Sequence, residues 1–456
     1  MKFVKSSKIY YNVFVPEIRN VILMKVKVVN FGCKVNSYES EVIKEKFKTN
    51  GYEVVEEELS DVVIVNTCSV TNVADNKCKK AIRRIKRENP NGILIVCGCT
   101  AENHRESLES LDIDILIGNK DKSKIVELLE EYLKSKKKYI KFYDNKRLEF
   151  EDMCISKFSD HTRAFVKIQD GCDNYCAFCV IPYMRGNVRF KDFNKCIDEV
   201  KELVSNGHKE IILTGIHTGS YGRGLDKNLV DLINEMSNIE YLERIRVSSI
   251  EITEITDEFL ELLRTNEKVC NHLHIPLQSG SEEVLKLMNR KYDKKYFLDK
   301  ISKIREVRPD ISITTDVIVG FPGETEDMFN ECVEFCKEVS FAKMHVFPYS
   351  VRTGTKAEKM DNHIDNGIKK QRSRDLCKVS DELEKGYLSK FVGEKLEIIT
   401  EENVNGKTIG CTSNYIKVIL DEEINNNEKV MVEVMSVGNG CVKGRKIDLK
   451  NKASIV

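Results

Sequence analysis

The sequence predicts an α/β protein of three units. These are an N-terminal parallel α/β unit of the flavodoxin or Rossmann type, a partial (β/α)6 barrel of the TIM type, and a small C-terminal antiparallel β-barrel. Apolar strands alternate with helices from Met24 to about Leu133, and the alternation restarts near Arg163. After about Leu388, only short β-runs between Asn and Gly turns remain. Alternating strands and helices favour parallel sheets, whereas short strands with turn residues favour an antiparallel barrel.

The first unit, residues 24–133, contains apolar strand segments that alternate with helical ones. The strands are KVKVVNFG, DVVIVNTCSV, GILIVCGC and DILIGN. The helices are YESEVIKEKFKTNG, which closes on a glycine typical of a helix C-terminus, NVADNKCKKAIRRIKREN and KSKIVELLEEYL. We therefore expect one parallel sheet with helices on both faces.

Two flanking segments are expected to lie outside this sheet. Residues 1–23 precede a second methionine, so we interpret them as an extension or a mis-assigned start; the alternative is an extra strand that packs on the unit. Residues 134–157 begin with the lysine-rich stretch KSKKKYIKFYDNKR, which is typical of a linker or a solvated loop.

The second unit, residues 158–386, repeats a strand–helix pattern six times. Its strands are RAFVKIQDG, EIILTGIH, RIRVSSI, HLHIPLQ, ISITTDVIVG and KMHVFPYS. Six such repeats predict an incomplete barrel, and in barrels of this type the chemistry lies at the C-terminal ends of the strands. The third unit, residues 387–456, contains the β-runs EKLEIITEE, YIKVILDE and EKVMVEVMSV.

Composition limits the possible compartments and partners. The chain has 456 residues, including 16 cysteines, and shows neither a signal-type apolar run nor a stretch long enough to span a membrane. We therefore expect a cytoplasmic protein without a membrane partner, whose thiols serve metals or chemistry rather than disulfides. Lys plus Arg and Asp plus Glu both number 73, so a nucleic-acid site would have to be a local basic patch.

Three cysteines lie close together in GCDNYCAFCVIPYMRG, as Cys172, Cys176 and Cys179. Thiolates at this spacing can hold three irons of a [4Fe–4S] cluster, which usually takes four cysteines. The fourth iron is then open to bind S-adenosylmethionine (SAM) through its amino and carboxylate groups, for reductive cleavage to a 5′-deoxyadenosyl radical. A zinc site would need a fourth ligand that the loop lacks. Phe178, next to the last cysteine, is expected to touch the adenine of SAM.

A second set of cysteines follows three apolar strands. Cys33, Cys68 and Cys99 each lie just past a strand end, and such ends meet at one edge of a parallel sheet. The set could therefore hold a second, auxiliary [4Fe–4S] cluster; the alternative is that the thiols are merely buried small apolar groups. Cys97 competes with Cys99, because successive strand residues face opposite ways. We favour Cys99, which follows a glycine as Cys33 does.

Two further groups of potential ligands receive structural interpretations. Cys332 and Cys336 share one face of a helix that is otherwise an apolar packing helix. His272 and His274 point to the same side of a strand, and we expect them to pack or hydrogen-bond inside the barrel rather than bind metal.

Several motifs together resemble one enzyme family. GCKVNSYES, NTCSVT, GCTAE, GCDNYCAFCVIPYMRG, LHIPLQSGS, MNRKY and DVIVGFPGET are similar to motifs of the radical-SAM methylthiotransferases, and the resemblance runs from about Met24 to the end. The closing segment is similar to the family's RNA-binding TRAM domain. GCKVN, SVTNVADNKCKKAIRR and QDGCDNYCAFCVIPYMRGNVR resemble the branch that acts on N6-threonylcarbamoyladenosine in tRNA.

The resemblance implies insertion of a methyl-capped sulfur at carbon 2 of the adenine beside the anticodon. It implies two [4Fe–4S] clusters and SAM as both methyl donor and radical source. Cys172, Cys176 and Cys179 would hold the radical-generating cluster, and the second cysteine set would hold the auxiliary cluster that carries the sulfur. No catalytic residue beyond the cluster ligands is implied. Besides tRNA, the expected partners are an electron donor of the flavodoxin or ferredoxin type and a sulfur donor.

The same resemblance implies residues that contact SAM and RNA. Those expected to line the SAM pocket with Phe178 are Gly215, Ser249, Glu251, Gln278, Val319, Gly320, Phe321, Pro322 and Gly323. Arg185 is expected either to reach the tRNA or to anchor the cluster loop. An aromatic and basic mixture in the small barrel is of the kind that binds nucleic acid, and it comprises Tyr415, Lys417, Lys443, Arg445 and Lys446.

Two other branches and one other class of protein remain as alternatives. One branch of the family modifies isopentenyladenosine in tRNA, and another modifies an aspartate of a ribosomal protein. A non-catalytic iron–sulfur protein that binds RNA or transfers electrons is the remaining alternative, and the open-iron loop argues against it.

Overall fold

The structure is a computed structural model that describes residues 24–56, 59–69, 72–158 and 162–447. Our expectation for residues 1–23 lies outside these ranges. The strands are β1 (Lys25–Asn30), β2 (Glu53–Val54), β3 (Val62–Thr67), β4 (Ile93–Gly98), β5 (Ile115–Ile117), β6 (Tyr139–Lys141), β7 (Arg163–Lys167), β8 (Gln169–Asp170), β9 (Arg189–Phe190), β10 (Glu210–Thr214), β11 (Arg244–Val247), β12 (His272–His274), β13 (Ser312–Val319), β14 (Lys343–Pro348), β15 (Lys395–Val404), β16 (Lys407–Thr412), β17 (Lys417–Leu420), β18 (Lys429–Val437) and β19 (Val442–Lys446).

Helices connect most of these strands. They are α1 (Lys34–Thr49), α2 (Asn72–Glu88), α3 (Cys99–Asn103), α4 (Arg105–Glu109), α5 (Ile125–Ser135), α6 (Ile181–Arg185), α7 (Phe193–Ser205), α8 (Leu229–Ser237), α9 (Asp257–Thr265), α10 (Glu282–Leu287), α11 (Lys294–Val307), α12 (Glu326–Val339) and α13 (Asn366–Ser389). Short 3-10 turns cover Lys122–Lys124, Asn145–Arg147, Thr218–Ser220, Ile252–Glu254 and Ala357–Lys359. None of the helices in the described ranges is long and apolar enough to cross a membrane.

The N-terminal unit is a parallel six-stranded sheet in the order β2-β1-β3-β4-β5-β6. Its central strand β3, VVIVNT, is buried along its whole length because helices cover both faces. The predicted parallel α/β class is therefore confirmed. The expected linker is corrected in part, since Tyr139–Lys141 pairs with β5 as the edge strand β6.

The second unit is a partial barrel of six parallel strands. The two halves β7-β10-β11 and β12-β13-β14 are joined where Ile250 N donates a hydrogen bond to His274 O at 3.0 Å. Within the described residues, β7 and β14 do not pair, so the barrel is open between them. One continuous apolar core fills this unit, and it includes Tyr38 and Val42 of α1. The N-terminal unit is thus packed directly on the barrel.

The C-terminal unit is a closed small barrel in the order β15-β16-β17-β19-β18. The antiparallel prediction needs one correction, because β17 and β19 pair in parallel while the other neighbours are antiparallel. Helix α13 links this barrel to the partial barrel: Leu376 lies in the core of the partial barrel, and Leu388 lies in the core of the small barrel. The helix runs through the boundary that we place between residues 386 and 387.

Candidate active site

The loop that carries Cys172, Cys176 and Cys179 is fixed by its own backbone. It begins after β8 at Gly171, whose φ of 76° and contact with Asn187 O leave no room for a Cβ. Cys172 N donates to Gly186 O at 3.0 Å, and Cys179 N donates to Cys176 O at 3.0 Å. All three thiols are partly exposed. The predicted cysteine set is therefore presented on one short loop at the C-terminal end of the first barrel strand.

Two cationic groups face the sulfur atoms of this loop. Arg290 donates from Nη1 to Cys176 Sγ at 3.2 Å, and it also pairs with Glu251. His217 is bonded to Glu254 at 2.7 Å and to Cys172; although burial opposes its charged form, these two bonds raise the pKa of His217 to about 10. Hydrogen bonds of this kind stabilise thiolate negative charge.

The third thiol depends on a bound cation for its ionisation. Burial raises the pKa of Cys179 to about 12. Metals bind the thiolate form of cysteine, so a bound iron would have to supply the positive charge that favours the Cys179 thiolate. The loop thus presents three thiols whose surroundings fit the predicted cluster.

The arrangement of ligands differs from that of a single-ion site. Within the described ranges, no group of three or more His, Cys, Asp or Glu side chains is placed to hold one metal ion. Thiolates that share one zinc ion would lie roughly 3.8 Å apart, given Zn–S distances of about 2.3 Å. In an iron–sulfur cluster each thiolate binds its own iron, so the sulfurs need not converge on one point. The cysteine loop therefore fits an iron–sulfur cluster rather than a single metal ion.

A cavity of about 220 Å³ lies beside the cysteine loop. Cys179, Phe178, Gln278 and Asp316 line it together with apolar residues of β13 and β14. The structure thus brings two of the predicted SAM-contacting residues, Phe178 and Gln278, next to a ligand cysteine. Gln278 has a φ of 67° and is held by hydrogen bonds on both sides to β13.

The other predicted SAM residues lie around the loop rather than on this cavity wall. Gly215 packs against Gln169, where a Cβ would lie 2.8 Å from Oε1. Ser249 is half-buried just after β11, and Glu251 reaches the loop only through Arg290. The segment made up of Val319, Gly320, Phe321, Pro322 and Gly323 lies behind Phe178, whose ring meets that of Phe321 at 6.5 Å.

The second cysteine set meets at the carboxyl edge of the N-terminal sheet. Cys33 precedes α1, Cys68 follows β3, and Cys99 opens α3. Gly32 has a φ of 120°, and a Cβ there would lie 2.6 Å from Cys68 Sγ. Burial raises the pKa of Cys33, and the Cys99 thiol adds to that rise because it lies nearby. The strand-end rule has therefore located three neighbouring thiols.

Cys97 and Cys99 occupy different environments. Cys97 is buried in the apolar core beneath the sheet with Ile95, and burial raises its pKa to about 12. Cys99 instead packs against Met184 and Val180 of the partial barrel, and Val180 is the residue after Cys179. Of the two, only Cys99 faces the other cysteine set.

Sequence reasoning missed Cys78, which lies close to this set. Its thiol donates to Cys68 O at 3.6 Å and is fully buried. A helical position inside NVADNKCKKAIRR carries no signal of this proximity. Its contact is with backbone rather than with a thiol.

A buried ionic network joins the two cysteine-bearing units. Glu39 of α1 accepts from Lys122 and from Lys167 at 2.6 Å, and lies 3.2 Å from Arg185. Asp170 also bonds Arg185, at 3.1 Å. The cations hold the pKa of both carboxyls below the usual range although burial opposes their ionisation.

Arg185 corrects one of our expectations about RNA contacts. Its side chain is fully buried, and Nη2 donates to Asn36 Oδ1 at 2.9 Å. It therefore does not reach a tRNA on the surface. Because Asn36 belongs to the first turn of α1, Arg185 links α6, which follows the cysteine loop, to α1, which follows Cys33.

A second cavity, of about 630 Å³, lies where the three units meet. Lys34 of α1, Asp316 of β13 and Tyr415 of the small barrel all line it. His272 and His274 also line it and both bond Thr314 Oγ1 at 3.0 Å, which confirms the hydrogen-bonding prediction. Asp316 lies on the walls of both cavities, so the larger one adjoins the space beside Cys179.

The predicted RNA residues of the small barrel fall into two places. Tyr415 and Lys417 lie on the wall of the larger cavity, where the Tyr415 ring is 4.8 Å from that of His272. Three others are exposed on the neighbouring strand β19, namely Lys443, Arg445 and Lys446. Arg445 pairs with Glu433 at 2.6 Å. The basic residues of β19 therefore lie on the strand that pairs with β17, which begins at Lys417.

Two known families match parts of the chain. The radical SAM superfamily matches residues 166–336, and a family described as uncharacterized protein family UPF0004 matches residues 25–118. Among solved structures, the radical S-adenosylmethionine methyltransferase TsrM from Kitasatospora setae aligns with a TM-score of 0.53 at 14% identity, over 71% of this chain and 73% of TsrM. That likeness shows a shared fold.

Curated relatives match most of the chain. The threonylcarbamoyladenosine tRNA methylthiotransferase MtaB of Bacillus subtilis (strain 168) is 44% identical over 85% of this chain and 88% of its own length. MtaB of Aquifex aeolicus (strain VF5) is 39% identical, over 87% and 96%. A tRNA-2-methylthio-N(6)-dimethylallyladenosine synthase of Clostridium perfringens (strain SM101 / Type A) is 34% identical, over 84% and 89%. The chain therefore belongs to the family of radical SAM tRNA methylthiotransferases.

Proposed function

We propose that this chain transfers a methylthio group to carbon 2 of N6-threonylcarbamoyladenosine beside the anticodon of tRNA. The observation that carries the proposal is the contact of Cys99 with Val180, the residue after Cys179, and with Met184 of α6. This contact brings one cysteine of the strand-end set close to the cysteine loop, which supports two cluster chemistries acting on one nucleotide. The chain is also 44% and 39% identical to the two relatives named for threonylcarbamoyladenosine, against 34% for the one named for dimethylallyladenosine.

The residues present fit two [4Fe–4S] clusters. Cys172, Cys176 and Cys179 would hold one, and the three strand-end cysteines would hold the other. When bound, the clusters and SAM supply a 5′-deoxyadenosyl radical able to attack an unreactive aromatic C–H, and a sulfur that receives a methyl group.

The chain's own residues would position the reactants. Phe178 and Gln278 form a wall beside Cys179 suited to the SAM adenine and its polar groups. Arg290 holds Glu251 next to the loop, and both lie close enough to orient the polar end of SAM. The ionic network of Glu39, Lys167 and Arg185 keeps the two units in a fixed relation, as a reaction shared between two sites requires.

The larger cavity would receive the nucleotide. It shares Asp316 with the cavity beside Cys179, and Lys417 of β17 lies on its wall. Lys417, Lys443 and Lys446 would contact phosphates, while Tyr415 would offer a ring on which a base can stack. The proposed partners are tRNA, an electron donor of the flavodoxin or ferredoxin type, and a sulfur donor.

The experiment that tests the proposal is a nucleoside profile. The chain is expressed in a host that lacks its own methylthiotransferases, and tRNA nucleosides are analysed by mass spectrometry. The expected product is the 2-methylthio form of threonylcarbamoyladenosine, and it should be absent with Cys176→Ser. A 2-methylthio form of the isopentenyl nucleoside, or a modified ribosomal protein instead, would contradict the proposal.

A further inference from the structure

Three half-buried cations line the larger cavity in the described part of the chain, and one of them, Lys34, has no carboxylate partner. Lys34 follows Cys33 directly and is half-buried at the point where α1 enters the cavity. The cavity also contains Arg163 and Lys343, and each has a carboxylate partner: Glu401 lies 3.0 Å from Arg163, and Glu384 lies 2.9 Å from Lys343. Across the described part of the chain, no carboxylate lies within ion-pair distance of the Lys34 ammonium.

None of the described acidic groups that line the cavity forms an ion pair with Lys34. Asp316 pairs with His274 at 3.3 Å, Glu401 pairs with Arg163, and the exposed Glu402 forms no ion pair with Lys34. The Lys34 ammonium is therefore left without a directly bound carboxylate. A partly desolvated ammonium without an opposite charge is unfavourable, and an anionic ligand would relieve that cost.

The position of Lys34 relates it to the proposed substrate. It follows Cys33 of the strand-end set and lines the larger cavity, which shares Asp316 with the cavity beside Cys179. A nucleotide whose reacting carbon lies between the two cysteine sets would place its N6 substituent within this same cavity. The threonylcarbamoyl substituent ends in a carboxylate, whereas the isopentenyl substituent is uncharged.

We propose that Lys34 binds the carboxylate of the threonylcarbamoyl group and thereby selects this nucleotide over those with apolar substituents. The proposal rests on the proposed function and names the residue that determines its specificity. A charge-assisted hydrogen bond from an ammonium to a carboxylate is among the stronger polar contacts. A site built around such a bond rejects analogues that lack the charged group, because its own charge is then left unpaired.

A phosphate of the anticodon loop is the other anion that Lys34 could meet. The two ligands are distinguishable because every stem-loop carries the same phosphates. Loss of a phosphate contact weakens all stem-loops equally. Loss of a carboxylate contact weakens only those that carry the free carboxylate.

The test compares two anticodon stem-loops that differ in one charge. One carries threonylcarbamoyladenosine, and the other carries the methyl ester of its carboxylate. Dissociation constants are measured with the reconstituted holoenzyme of the wild type, Lys34→Gln and Lys34→Arg. Lys417→Gln serves as the matched control, because Lys417 lines the same cavity and is exposed to solvent.

The wild type should bind the acid about tenfold or more tightly than the ester, as expected for one bond to a charged group. Lys34→Gln should bind the two equally, and Lys34→Arg should keep most of the preference. Lys417→Gln should weaken both and leave their ratio unchanged. Since each variant's affinity for the ester is its own internal reference, the ratio remains meaningful even if a variant loads less iron.

Two outcomes would overturn the assignment of Lys34. One is an unchanged ratio in Lys34→Gln, including the case in which both stem-loops lose affinity equally. The other is a loss of preference in Lys34→Arg as complete as that in Lys34→Gln. Failure of the proposed function looks different, because the wild type itself would then not methylthiolate the threonylcarbamoyl stem-loop.

Discussion

Arg290 Nη1 lies 3.2 Å from Cys176 Sγ, so a buried guanidinium donates directly to a sulfur of the loop at residues 172–179, which we call the radical loop. Arg290 comes from the segment after α10, remote in sequence from the loop. Hydrogen bonds to ligand sulfurs are one of the means by which proteins set cluster potentials. The contact therefore ties the electronic properties of the proposed cluster to a residue outside the cysteine motif.

Replacing Arg290 should make the radical-loop cluster harder to reduce. Arg290→Met removes a positive donor that favours the more negative, reduced state. A bond worth roughly 1.5 kcal/mol corresponds to a shift of about 60 mV toward negative potential. Redox titration followed by electron paramagnetic resonance measures the shift, and Arg290→Lys should show a smaller one. An unchanged potential in Arg290→Met would show that the contact has no electronic role.

The two neighbouring cysteines of β4 and α3 should behave differently. Cys99→Ala should leave reductive SAM cleavage intact and stop sulfur insertion, because the two functions lie in two units. Cys97→Ala is the matched control, and it should lower stability by about 1 kcal/mol or more through loss of buried volume while sulfur insertion continues. Iron content, deoxyadenosine and methylthio product are measured for both. The reverse pattern would move the ligand role to Cys97.

The ionic network between the units should make the free energy of unfolding depend on pH. Glu39→Gln leaves Arg185, Lys167 and Lys122 facing an uncharged amide, and should lower the free energy of unfolding by about 3–5 kcal/mol at pH 7. The exposed pair of Lys295 with Asp299 provides the control, since Asp299→Asn should leave the free energy of unfolding nearly unchanged.

The sign of this pH dependence follows from the lowered pKa of Glu39. A carboxyl with a depressed folded-state pKa contributes stability that is present above its unfolded value, about 4.3, and is lost as the pH falls toward the folded value. The difference between wild type and Glu39→Gln in urea unfolding should therefore shrink below about pH 4. A difference that stays constant from pH 7 to pH 3 would refute the role given to Glu39.

The basic residues of β17 and β19 in the small barrel should account for part of the salt dependence of tRNA binding. Each contact between a lysine and a phosphate contributes about 1 to the slope of log affinity against log salt, so removing the lysine lowers the slope by that amount. The double variant Lys417→Gln with Lys443→Gln should therefore lower the slope by about 2. Lys137→Gln, an exposed linker lysine, should leave it unchanged. Binding isotherms at several salt concentrations provide the measurement, and equal slopes in all variants would place the RNA elsewhere.

Much of the fold was predictable because its signals are local. Apolar strands of four to eight residues between helices identified both parallel units, and the strand-end rule placed Cys33, Cys68 and Cys99 at one edge. The parallel pairing of β17 with β19 was not predictable, because it depends on which strands meet after the chain has closed into a barrel. Tyr139–Lys141 was missed as a strand because edge strands tolerate the lysines that a linker also contains.

Charged residues were the least predictable part of the site. Arg185 has the sequence context of a surface arginine, and its burial is explained by its partners Asp170 and Glu39, of which Glu39 is 146 residues away in sequence. The sequence likewise gives no sign that Arg163 and Lys343 form ion pairs while Lys34, which lines the same cavity, does not. Burial and pairing are properties of the assembled units rather than of any local motif.

The central claim is that this chain methylthiolates threonylcarbamoyladenosine in tRNA. Its most direct test is a competition in which the reconstituted enzyme, SAM and a reductant meet equal amounts of anticodon stem-loops carrying threonylcarbamoyl- or isopentenyladenosine, with Cys176→Ser as the inactive control. Mass spectrometry of the digested RNA should find the methylthio group on the threonylcarbamoyl nucleoside and little on the other. Methylthiolation mainly of the isopentenyl stem-loop, or of neither while SAM is still cleaved, would contradict the claim.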